Sequence, residues 1–95
     1  MKDAVRVVHY LNQFFGGLGG EDKANLPVEI RDGPVGPGRA LQAALGERGQ
    51  VTATLIGGDN YVSERGEEAR ATIRGVLQDR RPDVLVAGPA FDAGR

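Results

Sequence analysis

Three short apolar runs separated by helix-length segments constrain the fold of this chain more than any other feature. The runs cover residues 4–11, 51–56 and 83–87. Nearly continuous runs of β-branched and aliphatic residues are typical of strands that are buried on both faces of a parallel sheet. Apolar stripes with helical spacing lie between the runs and predict helices over residues 37–48 and 63–80.

The order of these elements predicts the topology of the sheet. Two crossover connections place the three strands parallel in one sheet, so that their carboxyl ends share one edge. We therefore expect a single three-layer α/β domain over residues 1–95, Rossmann-like or flavodoxin-like, with three strands and two helices. A three-stranded open sheet leaves exposed edges, and a partner chain is expected to complete it.

The composition narrows the class of protein. Charged residues make up 26% of the chain and the formal net charge is −1, which leaves no basic excess for a phosphate backbone. No apolar run approaches the ~20 residues of a membrane-spanning helix, and no signal-peptide pattern opens the chain. We expect a cytoplasmic protein without a nucleic-acid or membrane partner. The sequence contains no cysteine, so this chain supplies neither a thiolate nor a disulfide.

Glycines and polar side chains follow the three strands, where open α/β sheets bind their ligands. Residues 12–37 show no periodicity and are longer than an ordinary loop, which favours a functional role for them. No ligand spacing is diagnostic of a metal site. We expect Asp59 to bind an ammonium group and Arg95 to bind a carboxylate. The full set of candidate substrate-binding residues is Asn12, Gln13, Phe14, Gly16, Gly17, Asp59, Asn60, Tyr61, Asp92 and Arg95.

Several of these features have a second interpretation. His9, the only histidine, is either a proton shuttle or ligand at the strand end, or a packed core imidazole. Asp59 and Asn60 either orient a substrate or cap the helix expected to begin at Ser63. The amino end of the 37–48 helix is either an anion site or a plain turn.

Four segments, in order, resemble successive segments of one protein family. They are VHYLNQFFGGLGGEDKA (residues 8–24), GPVGPGRALQ (33–42), IGGDNYVSE (56–64) and PDVLVAGPAFDAGR (82–95). They resemble the N-terminal part of selenoprotein B, the substrate-specific component of glycine, sarcosine and betaine reductases. The resemblance implies reductive cleavage of a C–N bond in a small amino acid or its N-methylated relative.

In that family, a cysteine or selenocysteine near the end of a much longer chain attacks the α-carbon of the substrate. This sequence lacks that redox motif, so the resemblance implies a partner chain that carries the cysteine or selenocysteine redox centre, with no cofactor in this chain. Three explanations are open: a subunit of a split enzyme, the N-terminal product of a cleaved precursor, or a homologue recruited to other chemistry. A non-catalytic binding or assembly module of a heteromeric complex is the alternative from a different class.

Overall fold

The computed structural model describes residues 4–88 and shows an α/β chain, as the sequence predicts. The strands in this part of the chain are β1 (Val5–Asn12), β2 (Glu29–Asp32), β3 (Gly49–Gly57) and β4 (Val84–Ala87). The α-helices are α1 (Gly38–Leu45), α2 (Asp59–Glu64) and α3 (Gly66–Arg80), and short 3₁₀ turns cover Glu21–Lys23 and Gly46–Arg48.

The strands form one sheet in the order β2-β3-β1-β4. β1 pairs in parallel with both β3 and β4, so the prediction of three parallel strands is confirmed. The pairing of β1 with β3 shifts register by one residue, since Val7 faces Val51 whereas Val8 faces Ala53. β1 therefore lies at the centre of the parallel part of the sheet.

The prediction of only three strands is wrong, because a fourth strand lies in the segment expected to lack regular structure. β2 pairs antiparallel with β3, with Glu29 opposite Ile56 and Asp32 opposite Ala53. Its four residues include three charged side chains and no apolar run, so local pattern does not reveal it. The strand forms because β3 offers an unpaired backbone edge, and the sheet is consequently mixed.

The predicted helix over residues 63–80 is also wrong at its start, which brings the number of α-helices among the described residues to three. Arg65 has φ −121° and ψ 46°, outside the helical range, and separates α2 from α3. Ser63 lies within α2 and so does not cap the longer helix. The other end is as predicted: α3 stops at Arg80, and Arg81 adopts a left-handed conformation with φ 48° just before Pro82.

The sheet carries helices on both faces. On one face, side chains of α3 pack against the buried core, which comprises Val8, Ala53 and Leu55 with Ile73, Val76 and Leu77 packed onto it. The next residue of β1, His9, points to the opposite face, where its imidazole lies against Gly38 of α1. The three-layer arrangement follows from this alternation along β1.

The long segment between β1 and β2 returns to the sheet and docks on the start of α2. The backbone N–H of Gly58 donates to the carbonyl of Leu26 at 3.0 Å, and that of Asn60 donates to the carbonyl of Ala24 at 2.8 Å. A β-carbon at position 58 would lie 2.6 Å from the carbonyl carbon of Ala24 and 2.7 Å from the amide nitrogen of Leu26. The two backbones can approach this closely only because residue 58 is glycine.

We expect Gly58→Ala to lower the free energy of unfolding by about 1–3 kcal/mol, since both backbones must move apart to admit a methyl group. Gly75→Ala in α3 is the matched control, because a β-carbon there meets nothing within 4 Å. That control should raise stability by about 1 kcal/mol through helix propensity. Urea unfolding followed by circular dichroism measures both, and equal effects of the two substitutions would contradict the close docking.

Candidate functional site

Three of the predicted site residues meet where β1 and β3 end side by side. Asn12 is the last residue of β1, and the Asn12 Nδ2 donates to the Asp59 Oδ2 at 3.3 Å. The backbone N–H of Asp59 donates to the Gln13 Oε1 at 2.9 Å. The fold thus joins residues that are 46 and 47 positions apart in the sequence.

Asn12 and Gln13 are buried, with only 6% and 3% of their surface exposed. The Asn12 Oδ1 accepts a hydrogen bond from the backbone N–H of Phe15 at 2.9 Å, and the Gln13 Nε2 donates to the carbonyl of Gly20 at 3.3 Å. Both side chains therefore bind the glycine-rich loop with one polar atom and Asp59 with the other. They hold these two segments together, while direct contact with a substrate stays a prediction.

The Asp59 side chain is exposed and lies in the first turn of α2. Asp59 and Asn60 both lie inside α2, and the residue that precedes this helix is Gly58, so the interpretation of the pair as the cap of a helix beginning at Ser63 is wrong. Asn12 engages Oδ2, and no described residue donates a hydrogen bond to Oδ1. The arrangement presents a fixed carboxylate with one oxygen open to solvent, which is suited to a small cation.

Tyr10 belongs to this site, although sequence reasoning did not select it. The Tyr10 hydroxyl lies beneath the end of β3, where a β-carbon at Gly57 would come within 2.6 Å of it. Burial raises the pKa of Tyr10 above its ordinary value of 10.0, and the negative charge of Asp59 raises that pKa further. The signal was the two-residue period of a strand, which places Tyr10 and Asn12 on the same face of β1.

His9 is the packed core imidazole of the two alternatives. It is 2% exposed, and its Nε2 lies 2.5 Å from the carbonyl oxygen of Gly88. Because a carbonyl only accepts, the Nε2–H donates, which ties the end of β4 to the centre of β1. Nδ1 has no hydrogen-bond partner among residues 4–88 and faces Gly38, where a β-carbon would lie 2.9 Å away.

The amino end of α1 is a plain turn. The backbone N–H groups of Gly38, Arg39 and Ala40 donate to the carbonyls of Val35, Gly36 and Pro37 at 2.8–3.1 Å. These donors are therefore already satisfied by the preceding loop, which removes the basis for the anion-site interpretation.

The turn after β1 contributes an exposed aromatic group. Phe14 is 51% exposed and meets Phe15 edge-on, with 5.2 Å between the ring centroids. Gly16 is buried against the Ile56 side chain, and Gly17 has φ +80°, a conformation that favours glycine. The predicted roles of these residues in substrate binding stay predictions.

The remaining candidates are dispersed. Asn60 is exposed and Tyr61 is half-buried, and the backbone N–H groups of both donate to the carbonyl of Ala24. Asp92 and Arg95 lie outside the described residues. Residues 4–88 contain no group of three or more metal-ligating side chains placed to hold a metal ion. None of the helices in this part of the chain is long and apolar enough to cross a membrane.

Comparison with known proteins relates the chain to the reductase family that the motifs suggest. The sequence profile of glycine/sarcosine/betaine reductase selenoprotein B matches residues 4–95. Glycine reductase complex component B subunit gamma of Symbiobacterium thermophilum is 57% identical over 96% of this chain. Sarcosine reductase complex component B subunit beta of Peptoclostridium acidaminophilum is 56% identical, and the betaine reductase counterpart from that organism is 48% identical.

The matched region is a small part of these relatives. It covers 96% of this chain but 21% of the Symbiobacterium thermophilum protein, so the chain spans about a fifth of the length of that relative. The same share, 21%, holds for the sarcosine reductase subunit. No solved structure was found to match the chain.

We expect Asp59→Asn to lower the pKa of Tyr10, because the substitution removes a neighbouring negative charge, while burial still keeps that pKa above 10.0. The measurement is the phenolate absorbance during alkaline titration in a Tyr61→Phe background, which leaves one of the two tyrosines. Asp79→Asn, an exposed carboxylate on α3, is the control that should leave the midpoint unchanged. An identical Tyr10 midpoint with and without the Asp59 charge would rule out their coupling.

Proposed function

The chain belongs to the glycine/sarcosine/betaine reductase selenoprotein B family, and we propose that it forms the substrate-binding N-terminal part of a reductase component that cleaves a C–N bond in a small amino acid or amine. The relatives that support this proposal are component B subunits of glycine, sarcosine and betaine reductase complexes. In this proposal the thiol or selenol comes from outside these 95 residues, since they contain no cysteine. We place the heteromeric reductase complex in the cytoplasm.

Asp59 is the residue that we assign to the substrate. The substrates in the relatives' names share a positively charged nitrogen next to a carboxylate, and differ in how many N–H groups that nitrogen carries. A carboxylate recognises the charge of all three, whether or not an N–H is available to donate. The observation that carries this assignment is the exposed Asp59 side chain, which accepts a hydrogen bond from Asn12 while the backbone N–H of Asp59 donates to Gln13.

The role of Asp59 follows from the charge changes in the reaction. Displacement at the α-carbon by a thiolate or selenolate forms a C–S or C–Se bond, breaks the C–N bond and leaves its electron pair on the departing neutral amine. The positive charge on nitrogen therefore falls as the reaction proceeds. Asp59 interacts most strongly with the bound substrate and less with the transition state, so it contributes to binding more than to the chemical step.

We further propose that the fold is flavodoxin-like. The three parallel strands lie in the order β3-β1-β4, with the first strand between the second and the third, which is how a flavodoxin-like sheet begins. Ligands of such sheets bind at the carboxyl ends of the strands where the strand order reverses, here between β1 and β4. Asn12 and Gly88, at or just beyond the ends of these strands, mark that position.

The second candidate is a non-catalytic binding or assembly module. The observation that favours it is that His9, the only histidine of the sequence, is buried with its Nε2 bound to Gly88. In that case, the Asp59 carboxylate binds a cationic group but has no role in the catalysed reaction. The two candidates differ in whether loss of the charge alters the kinetics of C–N cleavage.

We expect Asp59→Asn in the complete reductase component to raise KM by about 10–100-fold, equivalent to one charge-assisted contact of about 1.5–3 kcal/mol, with a smaller change in kcat. Steady-state kinetics with glycine, sarcosine and betaine measures this effect. Asp79→Asn is the matched control, and co-purification of the component confirms that assembly is intact. An unchanged KM for all three substrates would exclude Asp59 as the ammonium-binding residue and favour the assembly module.

A further inference from the structure

β4 has the sequence of an inner strand and the position of an edge strand. Its residues are Val84, Leu85, Val86 and Ala87, an uninterrupted apolar run. Such runs are typical of strands covered on both faces in a parallel sheet. Within residues 4–88, β4 pairs with β1 alone, and Val84 and Leu85 are each 45% exposed. Because successive residues point to opposite faces, residues 4–88 leave both faces of β4 partly exposed.

The opposite edge of the sheet is built differently. β2 is short, antiparallel and charged, with an ion pair between Arg31 and Glu29 on the strand itself. Asp32 forms a second ion pair with Arg80 of α3 at 2.9 Å. Short length and charged side chains are the devices that protect a true edge from further pairing. β2 therefore ends the sheet, whereas β4, although equally short, carries no charged side chain.

The helices in this part of the chain leave β4 open. α3 packs its apolar side chains on Val8, Ala53 and Leu55, which belong to β1 and β3, and no residue of β4 belongs to that core cluster. α1 lies on the other face, where the Gln42 side chain bonds the backbone of Gly49 and Val51 in β3. Among residues 4–88, both helices thus cover the half of the sheet on the β3 side and leave β4 without a covering helix.

We propose that β4 is an inner strand of the complete enzyme, paired along its free edge with a parallel strand from the remaining part of component B. This inference rests on the proposed function, in which the chain acts within that component. The relatives are long enough to contain such a strand, because the matched region is about a fifth of their length. A parallel strand is the geometry that βαβ connections produce, and it extends the β3-β1-β4 order without reversing the sheet.

The added strand also determines where the rest of the enzyme reaches the site. Neighbouring strands lie about 4.8 Å apart, so its carboxyl end lies about 5 Å beyond β4 and about 10 Å from β1. The hydrogen bond from His9 to Gly88 holds the end of β4 beside β1. The added strand therefore ends at the same edge of the sheet as Asn12 and Asp59, two strand positions from β1 and three from β3, which precedes Asp59.

Amide hydrogen exchange on the complete reductase component tests this proposal. We expect the amides of residues 84–87 to be protected as strongly as those of β1, because an inner strand has partners on both sides. Exchange at β4 as fast as at the edge strand β2 would overturn the proposal. Protection of β4 that is lost on dilution while the component itself stays intact would also overturn it, because the occupant would then be a second copy of the component.

A pair of matched variants makes the test specific to this edge. Leu85→Lys should abolish the protection of β4, since it places a charge where the proposed strand and helix pack. Ile30→Lys is the control, because Ile30 is 40% exposed on the opposite edge strand and the substitution should change nothing there. If Leu85→Lys behaves as this control does, the interface is wrong.

The result of the amide exchange experiment is independent of the result of the Asp59→Asn kinetics that test the proposed function. Asp59→Asn tests substrate binding and should leave exchange at β4 unchanged. Protection of β4 together with an unaltered KM in Asp59→Asn would support the interface and refute the role of Asp59.

Discussion

The close contact between Gly58 and the backbone of residues 24–26 is the constraint on which the site depends. It brings the end of β3 and the long segment after β1 together at a distance that no side chain at position 58 permits. Through this contact, the carbonyl of Ala24 accepts the backbone N–H groups of Asn60 and Tyr61 and sets the direction of α2. Asp59 is then presented at the point where Asn12 and Gln13 reach it.

Asn12 and Gln13 hold Asp59 in place, and the Asp59 carboxylate faces solvent. Asn12 and Gln13 are buried and satisfied, and unpaired polar groups at that depth would cost about 1–3 kcal/mol each. Tyr10 lies beneath them, where burial and the carboxylate together raise its pKa and keep its hydroxyl neutral at ordinary pH. The result is one carboxylate, that of Asp59, whose hydrogen-bonding neighbours Asn12 and Gln13 are uncharged. This is a suitable receptor for a cationic nitrogen, and by itself it performs no bond cleavage.

The exposed edge of the sheet at β4 agrees with a site that cannot cleave a bond by itself. β4 exposes apolar side chains on both faces, whereas β2, which has the same length, carries charged side chains. The hydrogen bond between His9 and Gly88 links the open side to the centre of the sheet beside the site. The proposed binding role and the proposed added strand therefore place the substrate-binding residue and the rest of the enzyme at the same edge of one sheet, three strand positions apart.

The sequence by itself determined the parallel strands β1, β3 and β4, helices close to α1 and α3, and their order along the chain. These follow from local periodicity, because the alternation of buried and exposed positions is written into neighbouring residues. It also identified the family through four motifs, and it selected Asn12, Gln13 and Asp59 as members of one cluster. Only the tertiary structure decided that β2 exists and that Arg65 divides the second helical segment. It likewise decided that Asn12 and Gln13 hold Asp59 and that Tyr10 lies beside it. These features depend on contacts between distant segments, such as the 46 positions between Gln13 and Asp59, and no local pattern encodes a contact of that kind.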